Sequence, residues 1–399
     1  MQTRTRHILP GRESKGIPRS SAAKPRVSVV IPCLDEAETI SECVTSACTV
    51  LDESGLEGEV IVVDNGSTDG SGDLARAAGA LVIEEPRRGY GSAYLAGLAV
   101  AQGDYIVMLD ADLTYDFREI PRFVQALDDG AQLVVGNRMS SIAPDAMPLL
   151  SRLGNPLLSG FLNVVHRTNV HDAHCGMRAL RRDVLPVLNL RTVGMEFASE
   201  MVIRATRERL EVSEVPIELH PRVGDSKLSP LRDGWRHLRV ILVYNPTFLF
   251  ILPGAVMFLA GWLITLLVFV HVPVFGRNLY VHSLIFGCLL ILLGAQAIGL
   301  GLSARAFGVY FISEQDQLFQ KLRARLRLEH GLLLALAVAA GGFALIGIVL
   351  ARWAAHGFGS LQEERLAILA ATVIAVGAQI FFTSFLLSII GLRRRRDEP

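Results

Sequence analysis

The sequence predicts an α/β domain, with a mostly parallel sheet and helices on both faces, followed by an α-helical membrane domain of four transmembrane helices. Three observations support this. From Arg26 onward, short β-branched runs alternate with helix-length amphipathic stretches, which is the pattern of βαβ units. Beyond Arg239, four long stretches contain no Asp, Glu, Lys or Arg. Charge is also unevenly spread: of 39 basic and 39 acidic side chains in 399 residues, 27 and 32 lie at or before Arg239, against 12 and 7 after it. The even total speaks against a nucleic-acid partner, which would require a basic excess.

Taken in order, residues 1–25 read as a disordered basic tail, with six basic residues and one acidic residue in the first 24. The tail has no apolar run long enough for a signal-peptide core. Residues 26–228 are expected to form the sheet domain. Strands are expected at Val27 to Ile31, Val60 to Val63, Leu81 to Ile83, Tyr105 to Leu109 and Leu133 to Val135. Helices are expected at Glu36 to Leu51, Asp69 to Ala78, Ser92 to Ala101 and Phe117 to Leu127. Such sheets bind ligands beyond the carboxyl ends of their strands, so the polar residues at that edge matter most. The cysteines, Cys33, Cys43, Cys48, Cys175 and Cys288, contain no CxxC pair and read as buried reduced thiols.

Residues 229–245 read as an interfacial amphipathic helix, with Trp235 among Arg232, Arg236, His237 and Arg239. The membrane domain covers 246–392. Its charge-free stretches run from Val240 to Gly276, Asn278 to Ala304, Gly331 to Ala351 and Leu366 to Leu392. Each holds at least about 20 mostly apolar residues, enough to cross a hydrocarbon core of about 30 Å. The first span is expected to begin near Pro246. The 303–330 loop carries five basic residues and the 393–399 tail four, Arg393 to Arg396, against Arg277, Arg352 and Arg365 in the other two loops. That bias places the 303–330 loop and the C-terminus in the cytoplasm, and four crossings place the sheet domain there too. Around Leu318 to Leu328, Lys321, Arg323, Arg325 and Arg327 mark either a second interfacial stretch or a solvated charge run.

Three acidic clusters follow three of the expected strands: Pro32-Cys33-Leu34-Asp35-Glu36, Asp64-Asn65-Gly66-Ser67-Thr68-Asp69 and Asp110-Ala111-Asp112. One carboxylate after a strand is ordinary helix capping, and Thr68 or Asp69 reads that way. Three clusters at one edge suggest a site. Positions i and i+2 of an extended or turning chain project to the same side, so Asp110 and Asp112 can address one cation; the other reading is a capping turn. Mg²⁺ takes one or two carboxylates and completes its shell with water and phosphate oxygens. Asp64 is placed to accept a hydrogen bond from a nucleobase or ribose.

These clusters, in this order, resemble the signatures of family 2 glycosyltransferases with the GT-A fold, a Rossmann-like sheet. The likeness continues through Arg88-Gly89-Tyr90-Gly91, Gly136-Asn137-Arg138, Asp172-Ala173-His174-Cys175-Gly176-Met177-Arg178 and Glu196-Phe197-Ala198-Ser199-Glu200, and covers roughly residues 26 to 230. Within the family the chain is most similar to polyprenyl-phosphate (dolichyl-phosphate) glucosyl and mannosyl synthases. The resemblance implies an inverting, metal-dependent enzyme that uses a UDP- or GDP-hexose. By position it implies that Pro32, Glu36, Asp64 and Asp110 hold the nucleotide, and that Asp110 and Asp112 bind Mg²⁺ or Mn²⁺. Asn65 stands where many relatives carry a second Asp. Four spans exceed the none to two common in this subgroup, although four-span relatives exist.

For the acceptor, Arg138, Arg222 and Lys227 are candidates to bind a lipid phosphate, the last two directly before the interfacial helix. Arg138, Arg152 and Asp172 are candidates for a direct part in catalysis; the resemblance sets Asp172 on the acceptor side. A phosphate monoester is already largely dianionic at neutral pH and needs cations more than a base, whereas a sugar hydroxyl needs a base. Glu196 and Glu200 are spaced for one helical face, either touching sugar or forming the polar side of an amphipathic helix. His171 and His174 show no familiar zinc spacing.

The leading expectation is hexose transfer to polyprenyl (dolichyl or undecaprenyl) phosphate at the cytoplasmic face of a bacterial plasma membrane. Self-association is left open. The alternative enzyme is a hydroxyl-directed or processive polysaccharide synthase, which usually carries Gln-x-x-Arg-Trp; the only Arg-Trp pair, Arg352-Trp353, lacks the Gln. A non-catalytic nucleotide-sugar-binding lipid carrier is the third reading, opposed by the intact Asp110-Ala111-Asp112.

Overall fold

Strand β1 (Val27–Cys33) shows why the sheet is central: Val27, Ser28, Val29, Val30 and Ile31 are all fully buried, so both faces of the strand are covered. The computed structural model describes residues 24–144, 146–223, 229–273, 278–311, 328–358 and 363–392. Among these, β1 is joined by β2 (Gly58–Asp64), β3 (Leu81–Glu84), β4 (Tyr105–Met108), β5 (Leu133–Ile142), β6 (Arg178–Arg181) and β7 (Val212–Leu219). The order is β3-β2-β1-β4-β6-β5-β7. All pairings are parallel except those of β6, which runs antiparallel to both β4 and β5. The mostly parallel α/β sheet is thus the one expected.

Helices α1 (Ile40–Glu53), α2 (Ser71–Ala77), α3 (Tyr90–Val100) and α4 (Ile120–Asp128) follow β1 to β4. Helix α1 starts four residues later than the sequence suggests, because Asp35 turns with φ at 48° and Glu36 accepts from Thr39 N and Ile40 N. Then come α5 (Leu149–His166), the short α6 (Leu185–Leu188), α7 (Phe197–Arg207) and α8 (Pro230–Val243). The buried Cys33 and Cys43 thiols are pushed up to about 12 by desolvation and stay protonated.

Four further helices are long and apolar enough to cross a membrane: Thr247–Val270, Val281–Val309, Leu328–Ala355 and Glu364–Gly391. They correspond to α9 (Leu252–Val270) with the π turn before it, α10 (Val281–Phe311), α11 (Leu328–Ala355) and α12 (Glu364–Leu392). Helix α9 packs on α10, α10 on α12, and α12 on α11. Glycines make the first contact close. A Cβ on Gly261 would sit 2.5 Å from Gly287 O, and one on Gly294 2.5 Å from Phe258 N, the small-residue packing of membrane helices. Gly261→Ala is therefore expected to cost about 1–3 kcal/mol and lower the Tm in detergent, while Gly347→Ala, with nothing within 4 Å, leaves it unchanged.

The described residues fall into two compact units. The first takes those within Met1–Pro148, Cys175–Gly194 and Glu211–Lys227; the second takes those within Leu149–His174, Met195–Leu210 and Leu228–Pro399. All seven strands belong to the first, and α5, α7, α8 and the four apolar helices to the second.

Candidate active site

The register of β1 and β2 sets Cys33 opposite Asp64, and that of β1 and β4 sets Val30 opposite Met108. The chains leaving these strands deliver Asp35 and Glu36, Asp64 and Asn65, and Asp110 and Asp112 to one edge. The first two turns are tied together. Asp35 N donates to Ser67 Oγ at 3.0 Å, and Asp35 Oδ1 accepts from Thr68 N at 2.7 Å. Glu36 N and Ala37 N donate to Ser71 Oγ and Asp69 Oδ2, each at 2.9 Å. Asp64 Oδ1 accepts from Ser67 N at 2.8 Å. With these amides engaged, the turn does not present the free N–H cluster that binds phosphate at a helix N-terminus. An anion here must be met by a cation or by arginines. Pro32, Glu36 and Asp64 are all partly exposed along this edge.

Asn65 is buried and clasps the next loop. Its Nδ2 donates to Glu85 O at 2.8 Å and Arg87 O at 2.9 Å, and its Oδ1 accepts from Gly89 N at 2.7 Å. An aspartate has no hydrogen to give the two carbonyls, which explains the amide here. At about 1–3 kcal/mol for each buried group left unsatisfied, Asn65→Asp is expected to lower the Tm by several degrees in a thermal unfolding scan.

The two carboxylates after β4 have different surroundings. Asp110 Oδ1 accepts from Tyr90 Oη at 3.0 Å and lies 3.5 Å from Tyr94 Oη, which also donates to Leu109 O at 3.2 Å. Both tyrosines lie on α3, which can press against β1 and β2 because Gly97 has no side chain: a Cβ there would meet Val30 Cγ1 at 2.4 Å and Val63 Cγ2 at 2.9 Å. On its other side, Asp110 Oδ2 faces Gly176, whose amide donates to Tyr115 Oη at 2.8 Å. Arg138, on β5, reaches the same hydroxyl from Nη1 at 3.4 Å. Arg178 is buried behind, its Nε donating to Cys175 O at 2.8 Å.

Asp112 Oδ1 accepts from Thr114 N at 3.1 Å and from Thr114 Oγ1 at 2.5 Å. Its Oδ2 lies 3.2 Å from Arg222 Nη1, and Arg222 Nη2 donates to Glu36 Oε1 at 2.6 Å. The Arg222 segment is zipped to the turn through His220 N to Thr114 O at 3.0 Å and Val223 N to Asp112 O at 3.3 Å.

Burial, and then the Asp112 charge, push the Asp110 carboxyl up to about 7, against weaker downward effects of Tyr90, Arg138 and Arg222. Burial and Asp110 hold Tyr90 and Tyr94 well above the ordinary phenol range, so both remain hydrogen-bond donors. Two adjacent carboxylates whose charges oppose each other in a desolvated pocket form a donor set that fits a hard divalent cation. Among the described residues no group of three or more His, Cys, Asp or Glu is arranged to hold a metal ion by itself. The fit is thus to a cation that takes much of its shell from ligand phosphates and water.

The second unit holds the remaining candidates. Asp172 is fully buried, and Arg152 is exposed on α5. Glu196 and Glu200 lie one helical turn apart, Glu196 O accepting from Glu200 N at 2.9 Å, but both are buried rather than on an exposed polar side, and Glu196 Oε2 is unpartnered among the described residues. Glu200 turns inward: its Oε1 accepts from Tyr244 Oη at 2.5 Å and lies 3.7 Å from Arg204 Nε. The Arg204 and Arg207 guanidinium groups each lie 5.4 Å from the Tyr244 ring centre. This brace fixes α7 to the residue just before the first span. His174 and His237 stack edge-on at 4.3 Å, and Ser199 Oγ lies 2.8 Å from His237 Nδ1. Lys227 lies outside the described residues, as do residues 1–23, 312–327 and 393–399.

Tyr90, Tyr94, Tyr115 and Gly176 are site residues that sequence reasoning did not single out. The only signal for them was that Tyr90, Gly176 and Arg178 sit inside recurring motifs without an assigned role.

Residues 28–188 match the family described as Glycosyl transferase family 2, and residues 302–391 match Glycosyltransferase family 2 C-terminal transmembrane region. Over 92% of this chain and 89% of the other, the sequence is 38% identical to the low-salt glycan biosynthesis hexosyltransferase Agl6 of Haloferax volcanii. It is 32% identical to the dolichyl-phosphate hexose transferase of the same organism, over 52% of this chain and 89% of that one. It is 31% identical to the undecaprenyl-phosphate 4-deoxy-4-formamido-L-arabinose transferase of Klebsiella pneumoniae, over 76% and 91%. These matches mark a sugar transferase with a C-terminal transmembrane region. The chain belongs to glycosyltransferase family 2.

Proposed function

We propose that this glycosyltransferase moves a hexose, with inversion, from a UDP- or GDP-sugar to polyprenyl phosphate at the cytoplasmic face of a bacterial plasma membrane. The observation that carries the reading is the Asp110–Asp112 pair at the strand edge, in a chain that also carries four membrane-type helices. The names of the two lipid-phosphate transferases among its relatives support the acceptor class.

In this reading Pro32, Glu36 and Asp64 contact the nucleoside along the edge where they are partly exposed. Asp110 and Asp112 would hold a Mg²⁺ or Mn²⁺, which would supply positive charge to the diphosphate leaving group. Tyr90 orients the Asp110 carboxylate by donating to it, with Tyr94 packed beside the same oxygen, and Gly176 leaves its second oxygen unobstructed. Arg138, Arg222 and Lys227 hold the acceptor phosphate, with Arg152 a further cation for it. Because that phosphate is already ionised, Asp172 orients rather than deprotonates, and Glu196 is available to accept from a sugar hydroxyl.

The test uses purified protein in nanodiscs with Mn²⁺, undecaprenyl phosphate and a panel of labelled UDP- and GDP-hexoses. A mild-acid-labile lipid product, formed with one donor and absent with Asp110→Ala, is expected. If no donor yields lipid product, or if the product forms equally well with Asp110→Ala, the proposal is wrong.

A further inference from the structure

Helices α10 and α12 share a short sequence near the middle of their spans, Gly294-Ala295-Gln296 in one and Gly377-Ala378-Gln379 in the other. Aligned on it, the hairpins α9–α10 and α11–α12 share one packing register. A Cβ on Gly261 of α9 would sit 2.5 Å from Gly287 O and 2.7 Å from Ile291 N, and one on Gly342 of α11 would sit 3.0 Å from Ala370 O and 2.9 Å from Ile374 N. In the other direction, a Cβ on Gly294 would meet Phe258 N at 2.5 Å and Gly254 O at 2.6 Å, and one on Gly377 would meet Ala339 N at 2.9 Å and Ala335 O at 3.1 Å. Gly254, Phe258 and Gly261 thus recur as Ala335, Ala339 and Gly342, and Gly287, Ile291 and Gly294 as Ala370, Ile374 and Gly377. The two hairpins are one packing unit present twice.

They do not meet through equivalent faces. Gln379 Nε2 of α12 reaches Leu292 O of α10 at 3.5 Å, and Thr383 faces Gly299, where a Cβ would lie 3.7 Å from the threonine Cβ. In the same register, the counterparts of Gln379 and Thr383 on α10 are Gln296 and Leu300. Those of Leu292 and Gly299 on α12 are Ala375 and Phe382. Gln296 is exposed, as are Leu300 at 47% and Phe382 at 69%. The contact between the hairpins is therefore heterologous and open at both ends. One open end holds the Gln296 amide at mid-span, a costly group to leave facing lipid.

From this repeat we infer that the two open faces bind each other between two copies of the chain. Gln296 and Leu300 of one copy dock on the α12 face of its partner, as Gln379 and Thr383 dock on α10 within each copy. The geometry also sets the number. At about 100° per residue, the two docking faces of α10 point roughly a right angle apart. Four such helices close a square, and each chain supplies two, so the closed assembly is a dimer with α9 and α11 on its outside. A second copy is the occupant because the repeat shows what covers such a face, and because lipid offers the amide no partner. Leu300 and Phe382 are larger than Thr383 and Gly299, so the contact between copies is wider and more apolar than the one within. The inference does not depend on which donor or acceptor the enzyme uses.

Crosslinking of the full chain in native membranes tests it. Leu300→Cys and Phe382→Cys chains carrying different affinity tags are expressed together and treated with a short bis-thiosulfonate, with the wild type setting the background of its own five cysteines. A covalent dimer joining the two tags is expected, with no Leu300→Cys to Leu300→Cys product above background, and a chain carrying both substitutions should give dimer without longer products. Gln296→Leu is expected to weaken self-association in lipid roughly threefold, the worth of one interhelical amide bond. A mixed-tag product no greater than background would overturn the inference, leaving lipid on both faces. So would an equal yield between two Leu300→Cys chains, which marks a face-to-face contact, or a ladder of longer products, which marks an open array. Gly299→Cys with Thr383→Cys, expected to crosslink within one chain, shows that the reagent reaches this depth. Because Gln296, Leu300 and Phe382 are exposed, their substitutions leave the packing within each hairpin intact.

Discussion

Asp110→Asn is expected to cut sugar transfer about a thousandfold while leaving the metal-free protein as stable as the wild type, or more so. The two effects separate because the same feature causes both. Asp110 is largely desolvated, though part of it still meets solvent, and lies next to Asp112; together these push its carboxyl up to about 7. Its folded value lies above its unfolded value, so the stability it contributes is fully present below the unfolded value near 4 and is lost as pH rises through about 7.

Metal-free wild-type protein should therefore melt at a lower temperature at pH 8 than at pH 6. The effect should be about 1 kcal/mol, because much of the loss already lies below pH 6, and should be absent in Asp110→Asn. The amide can still accept the Tyr90 hydrogen bond, so the pocket survives. Mn²⁺ should restore more stability at pH 8 than at pH 6, because at the lower pH it must displace a proton. Loss of one of two cation ligands is expected to reduce turnover about a thousandfold, or about 4 kcal/mol. Thermal scans at the two pH values, with and without Mn²⁺, and a turnover assay check the two halves independently. An Asp110→Asn protein that unfolds more easily than wild type at pH 8 would contradict the first.

Gly176→Ala is the second large effect, and it comes from space rather than charge. A Cβ at this position would lie 2.3 Å from Asp110 Oδ2 and 3.0 Å from Tyr115 Oη. The carboxylate must rotate away from the position that the tyrosines hold. Displacement of a catalytic group by about 1 Å costs about a hundredfold in rate, so turnover should fall by that order and Mn²⁺ binding should weaken with it. Gly347→Ala, which meets nothing, serves as the comparison. Isothermal titration with Mn²⁺ and a turnover assay would show whether the two losses travel together.

Much of this site could be read from the chain. The three acidic clusters stand out because each follows a β-branched run, and a parallel sheet puts the ends of β1, β2 and β4 together. The partners of those carboxylates could not be read the same way. Arg222 reaches Glu36 across 186 positions, and only the fold sets that distance. Tyr90 and Tyr94 look like packing residues at the start of an apolar helix until Gly97 fixes how closely that helix approaches the sheet.

Strand β6 is four residues with an arginine at each end and no β-branched side chain, so it has no strand signature. Strand β7 alternates cleanly, but Pro216 masks it; that residue is tolerated because the strand lies at the sheet edge. Helix α5 was not read from the chain at all, and its leucines at helical spacing signal an apolar face without saying what covers it.

The two compact units are not consecutive stretches of chain. The polypeptide leaves the sheet unit after Pro148, returns at Cys175, leaves again after Gly194, returns at Glu211 and leaves finally after Lys227. Five passages join them. A cut at Lys227 would give a fragment that still carries α5 and α7 but lacks α8, on which both pack. Removing everything after that cut takes away a packing partner of α5 and α7 along with the four apolar helices, and any recombination that exchanges one unit for another family member's must exchange three separated segments at once.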